Sequence, residues 1–151
     1  MEEQSHPKIL PPRVAMGSLI IVILFHYLFP TPLIPKPFNY FGILFFVAGL
    51  LILFWSFGLF KKKETPILPG QKPTALVIEG PYKFTRNPMY LGVTTALLGI
   101  SIYLGDILAF LAPLFFFAFV SLRFIPREEN LMEKTFGKKY LEYKKKVRRW
   151  L

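Results

Sequence analysis

The chain contains no cysteine, so neither a disulfide framework nor a thiolate nucleophile is open to it, and its redox compartment is left unspecified. Histidine is scarce as well. His6 and His26 are too few and too far apart to build a histidine-based metal site, and no metal is expected. Acidic residues number nine against 19 Lys and Arg, which leaves a net charge of +10. Charge of either sign is missing from Tyr40 to Phe60, and about 20 uncharged residues in helix cross a hydrocarbon layer of roughly 30 Å. No internal repeat and no low-complexity tract is present.

What is present is apolar. Over 151 residues, enough for one domain, 53% are hydrophobic and the mean hydropathy is +0.42, too apolar for an ordinary soluble fold of this size. Val14 to Phe29 forms a second apolar run behind Arg13. Its bulky exit, Phe25-His26-Tyr27-Leu28-Phe29, lacks the small residues of a cleavage site and reads as a retained helix, not a signal peptide. From Met89 to Ile125 the only charged side chains are Asp106 and Arg123, and Gly105-Asp106 near the middle predicts a tight turn. The pattern predicts an all-α, polytopic membrane protein with four transmembrane helices at about 14–30, 40–60, 89–104 and 107–125, in a single membrane domain over 1–151.

The basic residues then orient it. With four spans and cytoplasmic N- and C-termini, every Lys and Arg except Lys36 falls on one side, including Lys8, Arg13, Lys61, Lys62, Lys63, Lys72, Lys83 and Arg86. Cytoplasmic flanks of membrane helices collect such residues, and an odd span count would strand either Lys8 and Arg13 or the basic tail. This sidedness assigns the positive charge to anionic lipid headgroups, at about 1 kcal/mol per residue, and not to nucleic acid.

Residues 1 to 13 form a polar, proline-bearing lead, and Thr31 to Pro37 a proline-stiffened outer loop. The inner loop from Lys61 to Pro88 is kept out of helix by Pro66, Pro69, Pro73, Pro81 and Pro88, and its length suggests function. Thr74 to Ile78 within it is expected to lie extended. Pro126 opens a helix with Glu128 and Glu129 in its first turn. After Gly137 a basic amphipathic stretch runs to Trp150, with Tyr140, Leu141, Tyr143 and Val147 toward lipid or protein.

Glu128 and Glu129 admit two readings. They cap a helix end, or one points back between helices to a cationic group while its neighbour pairs with Arg127 or Arg123. Asn87 is expected to cap the third helix, with Arg86 and Tyr90 anchoring its end. Both loop-to-helix junctions of the hairpin lie on one side, so Asn87, Tyr90 and Glu128 are expected in one small volume suited to a nucleoside with a charged tail. Asp106 reads as a solvated residue of the outer turn, and His26 as an interfacial or packing residue. Leu114 to Phe119 reads as a lipid-facing or packing surface, or the wall of a tunnel for an acyl or prenyl chain.

Gly80-Pro81-Tyr82, then Arg86-Asn87-Pro88-Met89-Tyr90-Leu91-Gly92, the hydrophobic hairpin, Glu128-Glu129 with Leu131, Phe136-Gly137, Tyr140, Tyr143 and a basic ending form an ordered set. Together they resemble the isoprenylcysteine carboxyl methyltransferase and phospholipid methyltransferase group of integral-membrane enzymes, over about residues 64–151. The resemblance implies S-adenosylmethionine as methyl donor and a lipid, lipidated or small hydrophobic acceptor. It implies cofactor contacts from Thr74, Ala75, Leu76, Val77, Tyr82, Asn87, Pro88, Met89 and Tyr90, with Glu128 holding the methionyl end. Asn87 stands where the prenylcysteine enzymes have His, and Phe124 where they have a substrate-binding Arg. Arg123 and Arg127 are therefore the substrate-binding candidates, and Glu128, Glu129, Tyr90 and Arg127 the catalytic set. A carboxylate acceptor needs no base, whereas an amine or hydroxyl directs attention to Glu129 or Tyr90. The site is expected to face the cytoplasm from a cell membrane, or from the endoplasmic reticulum in a eukaryote.

Two other readings stay open. Membrane sterol reductases resemble the same C-terminal region and use NADPH, although they are usually larger. A small non-enzymatic membrane protein with a lipid- or partner-binding basic tail is the third.

Overall fold

Helices absorb the apolar runs, and no strand forms among the described residues of the computed structural model, which are 10–66 and 71–151. His6, Lys8 and Pro69, with most of the lead at 1–13, lie outside them. The helices are α1 (Pro11–Leu28), α2 (Phe41–Lys62), α3 (Pro88–Leu104), α4 (Leu111–Phe119), α5 (Ile125–Phe136) and α6 (Lys138–Lys146). Apolar residues encircle α1 and α2, and side chains such as Leu24, Leu44, Leu51 and Phe54 stand exposed, as a helix in lipid requires.

Three helical segments are long and apolar enough to cross a membrane: Pro11–Leu28, Phe38–Lys62 and Ile107–Phe136. The fourth expected span, α3, is apolar but only 17 residues long. It is the inner helix, packed against α1, α2 and α4.

The α2–α3 pairing is the most extensive in the molecule, and small residues make it possible. Gly42, Gly49 and Ser56 recur every seventh position on α2 and are buried, and Gly42 lies against Gly99 and Gly49 against Gly92 and Ala96 of α3. A Cβ on Gly49 would lie 2.4 Å from Ala96 N and 2.5 Å from Gly92 O, so backbone meets backbone there. Gly49→Ala is expected to force the helices apart and to cost about 1–3 kcal/mol. Thermal melting in detergent checks this, with Gly58→Ala as the neutral control, since nothing lies within 4 Å of a Cβ at Gly58.

Between α4 and α5 the helix does not stop at Ile125, as the sequence suggested, but continues through a π-helical turn, Val120–Phe124. Pro126 has no N–H for the next α-helical bond, and the Ile125 N–H already reaches back five residues to Val120 O. One extra residue in the turn rotates the downstream residues by about 100°. The buried face accordingly switches from Phe116, Val120 and Phe124 to Ile125 and Glu129. The apolar part of this segment ends at Ile125, and α5 carries charge beyond it.

At the opposite end Asp106 corrects the expectation of a solvated turn residue. It is 4% exposed, accepts the Thr31 N–H at 2.9 Å and pairs with His26 Nδ1. The loop after α1 folds over the turn, with Leu33 and Ile34 donating to Gly105 O, and an enclosed carboxylate needs such partners. His26 thereby ties α1 to the hairpin.

Candidate active site

Where α2 stops, α3 starts and α4 passes into α5, the chain lines a partly open cavity of about 540 Å³. Small-molecule sites occupy roughly 300–1,000 Å³. Its walls are chiefly apolar: Pro11 and Ala15 of α1, Leu53, Phe57 and Phe60 of α2, and Phe116 of α4 line it. Polar groups enter from the start of α3 and the first turn of α5.

Pro88 occupies the first turn of α3, where its missing N–H has no use. Asn87 precedes it at the cap position, yet its side chain does not cap the helix. Its Nδ2 donates instead to Arg149 O at 2.9 Å, because the segment after α6 returns across this junction. Tyr90 donates its hydroxyl to Glu128 Oε1 at 2.6 Å, a direct link from α3 to α5. Asn87, Tyr90 and Glu128 line the cavity together.

The two adjacent carboxylates differ in their surroundings. Among the described residues Glu128 forms no ion pair, and desolvation pushes its carboxyl up to about 7, against the Tyr90 hydrogen bond that pulls it down. Glu129 does not pair with Arg127 or Arg123. It is bound by Arg86 Nη2 at 2.7 Å and by Arg149, through Nη2 at 2.8 Å and Nε at 3.2 Å. Burial alone would push the Glu129 carboxyl up, but the Arg149 and Arg86 hydrogen bonds outweigh it and hold the group below the usual carboxylate value. Arg86 is nearly enclosed, its side chain 9% exposed, and its Nη1 donates to Lys144 O and Val147 O at 3.0 Å each.

Aromatic groups complete the wall. Tyr82 follows the Gly80 turn, whose positive φ of 56° and close approach to Trp55 suit glycine. The Tyr143 hydroxyl donates to Tyr82 O at 2.7 Å, and burial pushes both phenols up, so they stay neutral.

Of the residues singled out from the sequence, Val77, Tyr82, Asn87, Pro88, Met89, Tyr90, Glu128 and Glu129 line the cavity. Thr74, Ala75 and Leu76 do not. Thr74 N–H and Ala75 N–H donate to Thr65 Oγ1, and Thr74 Oγ1 donates to Glu64 O, bonds that shape the loop. Arg123 and Arg127 are exposed and outside the lining. Sequence reasoning missed the wall contributed by α1 and α2 and the Glu129 partners Arg86 and Arg149. Tyr140 and Tyr143 carried a signal, as aromatic residues three apart in a basic helix, but it did not tell lipid from cavity.

The family model for phospholipid methyltransferases matches residues 38–139. The chain belongs to the phospholipid methyltransferase family. As a phospholipid methyltransferase family member it is a membrane methyltransferase, and the matched segment carries α2 to α5 with Glu128 and Glu129. A Haemophilus influenzae protein described as uncharacterized is 43% identical over 63 residues, which cover all of that protein and 42% of this chain. No solved structure matches. Tyr140, Tyr143 and Arg149 lie beyond the segment that the phospholipid methyltransferase model matches.

Proposed function

We propose that this protein transfers a methyl group from S-adenosylmethionine to a lipid acceptor, with residues 64–151 as the cofactor-binding core, four spans and the cavity on the cytoplasmic face. The observation that carries the reading is Glu128, a carboxylate in the cavity wall partnered by a phenol instead of a cation. Among the described residues no cation pairs with Glu128, and the donor's methionyl end brings an ammonium group. A desolvated carboxylate pairs strongly with such a group. Val77, Tyr82 and Met89 supply apolar and aromatic surface for a nucleoside, and Asn87 supplies an amide.

S-adenosylmethionine supplies an electrophilic methyl group and a good neutral leaving group. The acceptor's lone pair forms the new bond to the methyl carbon as the carbon–sulfur bond breaks and its electron pair returns to sulfur. The protein's contribution is positioning and exclusion of water. Among the described residues Arg86 is the cation of the lining and is committed to Glu129, so no lining cation there is free to hold an acceptor carboxylate. A neutral amine fits better and leaves the reaction positively charged until it sheds a proton. Glu129, held ionised by two arginines, serves as an anchor more readily than as the base. The apolar walls from α1 and α2 suit acyl chains, and those helices do not pack extensively against each other.

The test is a transfer assay in detergent with radiolabelled donor and total membrane lipid, resolved by chromatography. Label in an amine-headgroup lipid supports the proposal. Saturable NADPH binding without donor binding would favour a reductase, and a folded protein that binds neither would favour a non-enzymatic role.

A further inference from the structure

One residue joins the two polar arms of the cavity from outside the family-matched segment. The Arg149 carbonyl accepts Thr85 Oγ1 at 3.0 Å and Asn87 Nδ2 at 2.9 Å, immediately before α3. Its guanidinium holds Glu129 in the first turn of α5. The flanking residues secure the crossing: Arg86 N–H donates to Arg148 O at 3.0 Å, and the Trp150 ring packs on Phe117 at 4.5 Å between centroids.

The arms have two more links, Arg86 to Glu129 and Tyr90 to Glu128, and the position of the second matters. A cation bound by Glu128 competes with the Tyr90 hydroxyl for the carboxylate, so this link weakens when the cavity fills. The Arg149 and Arg86 links face no such competition, because both are made to Glu129 and not to Glu128.

We infer that Arg149 is a positioning residue for ligand binding: it keeps the first turn of α5 docked against the start of α3, so that Glu128 stays presented to the cavity when a cationic ligand takes its carboxylate. The inference rests on the reading of Glu128 as the donor's partner. Without a ligand the three links share one task, and losing the Arg149 or the Tyr90 link leaves the others. With a ligand, Arg149 carries the docking together with the Arg86–Glu129 pair.

Calorimetry with S-adenosylmethionine and thermal melting of the ligand-free protein, both on the full chain in detergent, test this with Arg149→Ala, Arg149→Lys, Tyr90→Phe and the Arg149→Ala/Tyr90→Phe pair. Arg149→Ala is expected to weaken donor binding by about tenfold, with partial recovery in Arg149→Lys. The ligand-free melting temperature should fall modestly in each single variant and by more than the sum in the pair, since the links substitute for one another. Binding by Arg149→Ala within about twofold of wild type, or additive melting losses, would overturn the inference. If Arg149→Ala does not fold, Arg149→Lys decides: binding weaker than wild type by more than about twofold supports the role, and binding within about twofold removes it. Failure of the wild-type protein to bind the donor would instead sink the reading of Glu128, and the melting comparison would still judge the shared link.

Discussion

At pH 8, Glu128→Gln is expected to bind S-adenosylmethionine at least about thirtyfold more weakly than wild type, equivalent to about 2 kcal/mol for losing one partner of a desolvated charge pair. Glutamine keeps the shape and accepts the Tyr90 hydroxyl, so the loss reports charge and not packing. The wild-type affinity should itself depend on pH. Desolvation raises the Glu128 carboxyl to about 7 from an ordinary 4.5, and a cation is held by the ionised form. Donor binding should therefore weaken by about tenfold per pH unit below 7, and this slope should vanish in Glu128→Gln. Folding stability runs the other way. The folded protein holds this proton more tightly than the unfolded chain, so the ligand-free protein loses stability as pH rises from 4.5 to 7 and levels off above. Glu128→Gln lacks that loss. Calorimetry and melting across pH 5 to 8 measure both effects, with the range set by roughly two pH units around the raised value; donor affinity flat across it would remove Glu128 from the cation-binding role.

Arg86→Met should be the most destabilising single change at the site. Arg86 and Glu129 are 9% and 7% exposed at their side chains, and three hydrogen bonds from the guanidinium join α3's lead-in to α5 and to the end of α6. Removing one member of an enclosed ion pair costs about 3–5 kcal/mol, because the other charge stays behind with fewer partners. Melting in detergent reads this directly. Removing both members with Arg86→Met/Glu129→Leu should recover much of the loss, since no stranded carboxylate remains. A double variant as unstable as the single would show that the cost lies in the lost carbonyl contacts and not in the charge.

The membrane helices were legible because their signal is local. Tyr40 to Phe60 lacks charge, and a helix forms from Phe41 to Lys62; Gly105 turns the chain where the hairpin was expected to turn. Glu128 was legible as a residue of the first turn after Pro126. The directions of Arg123 and Arg127 were not, because a single π-helical turn rotates every later residue of the helix, and nothing in the local pattern announces an extra residue per turn. Asp106 was misjudged for a different reason. Its partners His26 and Thr31 sit 80 and 75 residues away in sequence, so a turn residue that looked solvated is enclosed by another loop. The same distance hid Arg149, which reaches Asn87 across 62 residues.

Composition, the charge-free runs and the order of the motifs determined by themselves that this is a helical membrane protein of the methyltransferase kind, with its polar candidates at the ends of the third and fourth apolar segments. Only the tertiary structure decided which of two neighbouring glutamates is available to a ligand. Successive residues on a helix point about 100° apart. Glu129 was thereby turned onto Arg86 and Arg149, and Glu128 into the cavity beside Tyr90.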